Sequence, residues 1–257
     1  MRFSKWHALG NSYLVVEREA LGRPLDSDLA RRLCDMRYGV GSNGVVEVLS
    51  TDGAQAEISI WNPDGSVAEF SGNGSRIAAG WLLRRSGARE VTIGVSGRPY
   101  PAALRDDGAI GMVVGDVEVG EIETVEVDGD RVELTAVSVG NPHAVVRAEP
   151  DRDELLRLGP LLEVNDRFPE RTNVQLVRVD GPHQVTVAVW ERGAGETSAS
   201  GSSAVAVACA AIVNGWCESP VTVRMPGGEL GVELDDEARP TLVGPAEEIC
   251  EGEFTSV

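Results

Sequence analysis

The chain has 257 residues, 42% of them hydrophobic, which suffices for one large domain or two small ones with a proper core. Its 41 acidic against 23 basic side chains leave a net charge of −18, which repels phosphate backbones and anionic lipid and so excludes nucleic-acid and membrane-surface partners. No run approaches the roughly 20 apolar residues of a membrane helix, and Met1 to Tyr13 lacks the apolar core of a signal peptide, so the chain reads as cytoplasmic.

Short Val-rich stretches bounded by Gly, Asp, Asn and Pro predict strands at Tyr13 to Glu17, Val45 to Leu49, Ala56 to Trp61 and Val91 to Val95. More are predicted at Val132 to Val139, Ala144 to Ala148, Val174 to Val179 and Val185 to Trp190. Ser27 to Arg37 opens on Ser and Asp and carries apolar residues at helical spacing, which predicts a surface helix. Gly72 to Ser86 and Gly201 to Gly215 are apolar on nearly every side, the mark of helices buried all round. The expected architecture is α+β: two mostly-β domains, each with a sheet wrapped around one central helix. An acidic stretch near Gly115 to Gly120 suggests the crossing, which puts the domains at 1–116 and 117–239. A C-terminal strand within 240–257 could complete the first.

The central helices follow two copies of one motif. NPDGSVAEFSGNGSR runs from Asn62 to Arg76, and ERGAGETSASGSSAV runs from Glu191 to Val205. Each has an acidic or amide residue, a Gly-rich turn, then Ser-Gly opening an apolar helix; aligning Ser71 with Ser200 sets the copies about half the chain apart. A helix N-terminus presents unpaired backbone N–H groups and partial positive charge, and nearby glycines let a ligand approach the backbone. Such an end suits a carboxylate. Two of them would hold one carboxylate and flank its α-carbon, a geometry suited to inverting a stereocentre. The plainer reading is that Ser71 and Ser200 are ordinary N-caps.

Other polar residues cluster in turns. Asn11 follows the glycine of HALGNSY, Arg37 to Gly44 form a second Gly-rich loop, and VGNPHAVV sets Asn141 and His143 just before a strand. Asn173 opens another strand, and Glu191-Arg192 ends one. A His and a Glu are the pair that would tune two proton carriers near neutral pH, although a His there could simply cap a strand. Asparagines with an arginine suit a zwitterionic amino acid. No cofactor motif is visible. The four cysteines have no CxxC pair, the three histidines lie far apart, and no metal site is expected. Cys209 and Cys217 fall in an apolar stretch and read as buried structural thiols.

Together these blocks resemble the diaminopimelate epimerase family over nearly the whole chain. The likeness is carried by Phe3 to Asn11, RYGVG at Arg37 to Gly41, NPDGS with GNG between Asn62 and Gly74, GNPHAV at Gly140 to Val145, TNV at Thr172 to Val174, and ERGAGET at Glu191 to Thr197. The resemblance implies two pseudo-symmetric domains, each a curled, mostly antiparallel sheet around a central helix, with the site in the cleft between them. It implies an isomerase that works without metal or organic cofactor at the α-carbon of an amino acid, as in the conversion of LL- to meso-diaminopimelate for lysine biosynthesis. Ser71 and Ser200 then occupy the two proton-transfer positions, with His143 and Glu191 tuning or replacing them. Amides around Gly72, Asn73, Gly201 and Ser202 hold the α-carboxylate, and Asn11, Asn62, Asn141, Asn173 and Arg192 bind the rest of the substrate. The partner is a small amino acid; monomer and homodimer both stay open.

The family carries cysteine at both positions where this chain has serine. A thiol titrates near about 8.5 and is lowered further at a helix end, whereas an alcohol is far too weak an acid for that. Three readings stay open on sequence alone: an engineered double Cys→Ser form, a Ser/Ser branch catalysing another proton shift such as isomerisation or dehydration, and a site that only binds. Two further departures, SGSSAV in the second motif and Asn43 in the Gly-rich loop, favour a natural branch.

Overall fold

In the computed structural model, which describes residues 1–255, the chain opens with a hairpin of β1 (Arg2–Ala8) and β2 (Asn11–Glu17). Its two loop residues, Leu9 and Gly10, both have positive φ (53° and 82°), the twist a two-residue loop needs to match right-handed strands. The single turn α1 (Arg18–Leu21) and α2 (Ser27–Cys34) then cross over to β3 (Val45–Asp52), parallel to β2. β4 (Gln55–Trp61) returns antiparallel, the short β5 (Val67–Ala68) pairs with it, and α3 (Gly72–Ser86) crosses to β6 (Glu90–Val95), parallel to β4. β7 (Arg98–Leu104) and β8 (Ile110–Val113) follow as antiparallel neighbours.

The same order then repeats. β9 (Glu118–Val127), β10 (Asp130–Ser138) and β11 (Pro142–Arg147) pair antiparallel in turn. α4 (Arg152–Glu163) crosses to β12 (Asn173–Gly181), parallel to β11. β13 (Gln184–Glu191) and the short β14 (Gly195–Thr197) follow, and α5 (Gly201–Val213) crosses to β15 (Val221–Met225), parallel to β13. β16 (Gly228–Leu234) and β17 (Pro240–Gly244) continue antiparallel. Finally β18 (Glu247–Glu253) pairs antiparallel with β1, in the place that β9 holds beside β10. Two compact units result: residues 1–113 with the segment from Gly244 onward, and Val114–Val243.

Within the first unit, alternate residues of one strand feed two cores. Tyr13 and Val15 of β2 pack with Ile60, Ile77 and Leu82 around α3, while Leu14 and Val16 pack with Leu29 and Leu33 of α2. A strand alternates its side chains across the sheet, so a continuous apolar run means both faces are covered. In the second unit, Leu155, Leu158 and Leu162 of α4 pack on Ala144, Val146, Val174 and Leu176. Both central helices are buried as their composition predicts: Gly72–Gly80 entirely, and Ser203–Ala211 likewise.

Two element boundaries differ from the sequence expectation. α2 stops at Cys34 rather than Arg37 because the Asp35 carboxylate accepts from the backbone N–H groups of Arg37 (2.7 Å) and Tyr38 (2.8 Å), an Asx turn that competes with another helical turn. α4 is not among the expected helices, since Gly159-Pro160 interrupts its pattern. It forms because Asp151 caps its start, accepting from Asp153 and Glu154, and because its leucines find a core. Gly159 is required by packing: a Cβ there would lie 2.7 Å from the Trp190 ring.

Candidate active site

In the first unit, the NPDG segment folds as a tight turn. Gly65 N–H donates to Asn62 O, Asn62 Nδ2 donates to Ser66 Oγ, and the Asp64 carboxylate accepts from Ser66. Gly65 has φ +81°, and a Cβ there would sit 2.5 Å from Ser27 O, so only glycine fits. Asn62 is half-buried, and the hydrogen bonds of its side chain stay within this turn.

Ser71 caps α3 with extended backbone (φ −142°, ψ 116°), its Oγ accepting from Gly74 N–H at 3.1 Å. The same Oγ lies 3.1 Å from the Tyr13 hydroxyl. Gly72 and Asn73 form the buried first turn, whose backbone N–H groups lie at the positive end of the helix. Asn73 Oδ1 accepts from Arg76 Nη2, and Arg76 Nε donates to Pro245 O, both at 3.1 Å. Arg76 is fully buried with no hydrogen-bond partner for Nη1, and desolvation lowers its pKa to about 10. It therefore stays charged at neutral pH and adds positive field to this helix end. Asn11 opens β2, and its Oδ1 is buried with no hydrogen-bond partner.

In the second unit, Ser200 caps α5 with nearly the same backbone (φ −140°, ψ 122°), but its side chain caps no backbone N–H. Ser200 interacts instead with Glu191 at the end of β13; burial pushes the Glu191 carboxyl above its ordinary range, and the Ser200 side chain pulls the other way. Gly201 and Ser202 open the helix. Gly193 (φ 74°) and Gly195 (φ 83°) shape the turn after Glu191.

A hydrogen-bond network ties the remaining expected residues of this unit together. Asn173 donates through Nδ2 to Pro142 O (2.9 Å) and accepts at Oδ1 from Arg192 N–H (3.0 Å). Arg192 is exposed, its guanidinium donating to Glu170 O. His143 pairs with Asn173 across β11 and β12 and is fully buried. Its Nδ1 lies 3.0 Å from Gln175 Nε2, which also donates to Ser203 Oγ, and its Nε2 lies 3.0 Å from Asn141 Oδ1.

These surroundings do not fit the expectation that His143 works as an acid or base. Desolvation lowers its pKa to about 3, and both ring nitrogens are engaged by amides. His143 is held as a neutral ring between Asn141 and Gln175. The Glu191 carboxyl, raised by burial, stands beside Ser200.

Four participants escaped the sequence reading: Tyr13, Arg76, Gln175 and Glu163. The Glu163 carboxylate accepts from Trp190 Nε1 (2.7 Å) and Gly193 N–H (3.0 Å), so it grips the chain on both sides of Glu191 and Arg192. Glu47, with 0% exposure, accepts from Nε1 of Trp61 (3.2 Å), the residue directly before Asn62. A Trp directly before each motif was the available signal. Among the described residues, no three His, Cys, Asp or Glu side chains gather as a metal-binding group. Cys209 and Cys217 are buried, and burial pushes Cys209 up to about 12. Among the described residues, no helix is long and apolar enough to cross a membrane.

Comparison with known proteins bears on this arrangement. The family model described as diaminopimelate epimerase matches residues 3–123 and 135–249. A diaminopimelate epimerase of Desulforudis audaxviator (strain MP104C) is 40% identical over 285 aligned residues, covering 99% of each chain. One from Pseudomonas fluorescens (strain Pf0-1) is 36% identical, covering 98% of each. Among solved structures, a hydroxyproline epimerase from Agrobacterium vitis superposes with a TM-score of 0.75 at 16% identity, covering 98% of this chain and 91% of that one. A methylitaconate Δ-isomerase superposes with a TM-score of 0.62 at 15% identity, covering 98% of this chain and 95% of that one. At such identities the two structures speak for the fold alone.

Proposed function

The chain belongs to the diaminopimelate epimerase family, and on that premise we propose that it moves a proton at the α-carbon of diaminopimelate, interconverting the LL and meso forms. It is an isomerase of the cofactor-independent amino-acid epimerase class. The observation that carries the reading is the pairing of Ser200 with Glu191. A carboxyl raised by burial, beside a hydroxyl at a helix N-terminus, is a stronger base than an ordinary carboxylate and a better proton acceptor than a lone alcohol. Ser200 Oγ takes the α-proton as its own hydrogen passes to Glu191. Ser71 serves the return of a proton to carbon.

The backbone amides of Gly72, Asn73, Gly201 and Ser202 receive the α-carboxylate, and the charge of Arg76 reinforces the first pair. Asn11, whose buried Oδ1 lacks a partner, is suited to accept from the α-ammonium group. Asn62, Asn141, Asn173 and Arg192 bind the distal end. The proposal extends to a cytoplasmic enzyme whose partner is a small zwitterion, in keeping with a net charge of −18.

Serine in place of both cysteines supports one second reading: the same constellation acting on a substrate whose proton is more acidic than that of an ordinary amino acid. Proton NMR of the protein with LL-diaminopimelate in deuterated water separates the two. Loss of the α-proton signal with growth of the meso form supports epimerisation, and Glu191→Gln should abolish it while binding persists. Binding without exchange in the native protein would sink the leading reading in favour of the second.

A further inference from the structure

The two serines sit in different hydrogen-bond circuits. Ser200 interacts with the Glu191 carboxyl. Ser71 has partners of another kind. Gly74 N–H donates to its Oγ at 3.1 Å, and the Tyr13 hydroxyl lies 3.1 Å away. A phenol is intrinsically a much stronger acid than an aliphatic alcohol, and so the better donor of the two. With Tyr13 and Gly74 both donating, the two lone pairs of Ser71 are filled and its own hydrogen points away from both. That hydroxyl is set to give a proton, and the oxygen left behind is held by an amide, a phenol and a helix N-terminus.

Tyr13 is locked in this position. It lies on β2, only 6% exposed, within the core that surrounds α3. Gly44 makes room for it: a Cβ at that position would lie 2.4 Å from the Tyr13 Cε1 and 2.9 Å from its Cδ1.

We propose that Tyr13 is the proton source for Ser71, the pair forming a relay that returns a proton to the substrate α-carbon. The inference rests on the epimerase reading above. The electron pair on carbon takes the Ser71 hydroxyl hydrogen as the C–H bond forms and the serine O–H bond breaks. The Tyr13 O–H bond breaks in the same step, its proton passing to Ser71 Oγ. The phenolate then regains a proton from water. In the reverse direction Ser71 takes the α-proton and passes its own to the phenolate. Tyr13 acts through Ser71 and is a positioning residue in that sense.

The test is Tyr13→Phe, which keeps the ring and removes the hydroxyl, assayed with each stereoisomer in deuterated water. Inversion should fall about 100-fold in kcat with KM nearly unchanged, the usual effect of losing one general acid. From one stereoisomer, washout of the α-proton should persist without inversion, because Glu191 and Ser200 still exchange it. A merely structural tyrosine would lower both together. As a variant that keeps the hydroxyl, 3-fluorotyrosine at position 13 should restore inversion and move its alkaline limb to lower pH. If Tyr13→Phe leaves inversion unchanged, or if the fluorinated residue leaves the pH limb in place, the relay is wrong and the epimerase reading stands. If the native protein itself catalyses no exchange, both fall.

Discussion

The amide nitrogen of Gln175 lies 3.0 Å from His143 Nδ1, which makes that ring nitrogen an acceptor and leaves the proton on Nε2, facing Asn141 Oδ1. The hydrogen-bond partners thus assign one neutral tautomer, and burial enforces it by lowering the pKa to about 3.

That state makes stability depend on pH. The folded-state pKa lies below the unfolded value of about 6.5, so the unfolded chain binds the extra proton first as pH falls. The contribution is complete above about pH 6.5 and is lost as pH falls towards about 3. Denaturant midpoints measured across that window should drop with pH, and His143→Asn should flatten the slope. An unchanged slope in the variant would mean that other groups govern the acid limb.

Restoring cysteine at both Ser71 and Ser200 should create or raise epimerase activity on diaminopimelate, because thiols ionise at a helix N-terminus where alcohols do not. The two changes should differ in stability. Ser71 makes a real cap bond to Gly74 N–H and Ser200 makes none, so Ser71→Cys should cost about 1 kcal/mol and Ser200→Cys less. A double variant that binds diaminopimelate yet stays inert would show that the serines are not the only departure from thiol chemistry.

Gly159→Ala tests packing against propensity. Alanine gains about 1 kcal/mol over glycine inside a helix. Here its Cβ would lie 2.7 Å from Trp190, and overpacking costs about 1–3 kcal/mol. The clash should win, and chemical unfolding should show a net loss. Exchange activity should fall too, since Trp190 adjoins Glu191. A stabilised variant would mean that the indole can yield.

Glu163→Gln tests the support behind Glu191. The carboxylate accepts from both Trp190 Nε1 and Gly193 N–H. An amide can accept at only one end, so one of these part-buried donors is left facing another N–H, at a cost of about 1 kcal/mol. Thermal unfolding should register that loss, and kcat should fall with it as the Glu191 loop loosens. Wild-type kcat together with reduced stability would confine Glu163 to folding.

Much of the fold was legible because burial writes itself into composition. Gly72–Ser86 and the segment from Gly201 are apolar on nearly every side, and such helices have nowhere to go but the middle of a sheet. α4 was not legible, since Gly159-Pro160 resembles a break until Trp190 and the core beneath its leucines are in place. The paired helix starts of the candidate site were legible as a repeated motif, whereas the full burial of His143 was not.

The sequence by itself determined the repeat, the two serines that open buried helices, and the glycines that clear their approaches, because caps and turns are local and depend on neighbouring residues. Only the tertiary structure decided the partner of each serine. Tyr13 reaches Ser71 from 58 residues away through the packing of β2 against α3, and Gly44 leaves room for its ring. Glu191 reaches Ser200 because the hairpin of β13 and β14 folds back before α5 begins. Strand register and burial set those encounters, and both are properties of the whole sheet rather than of any segment within it.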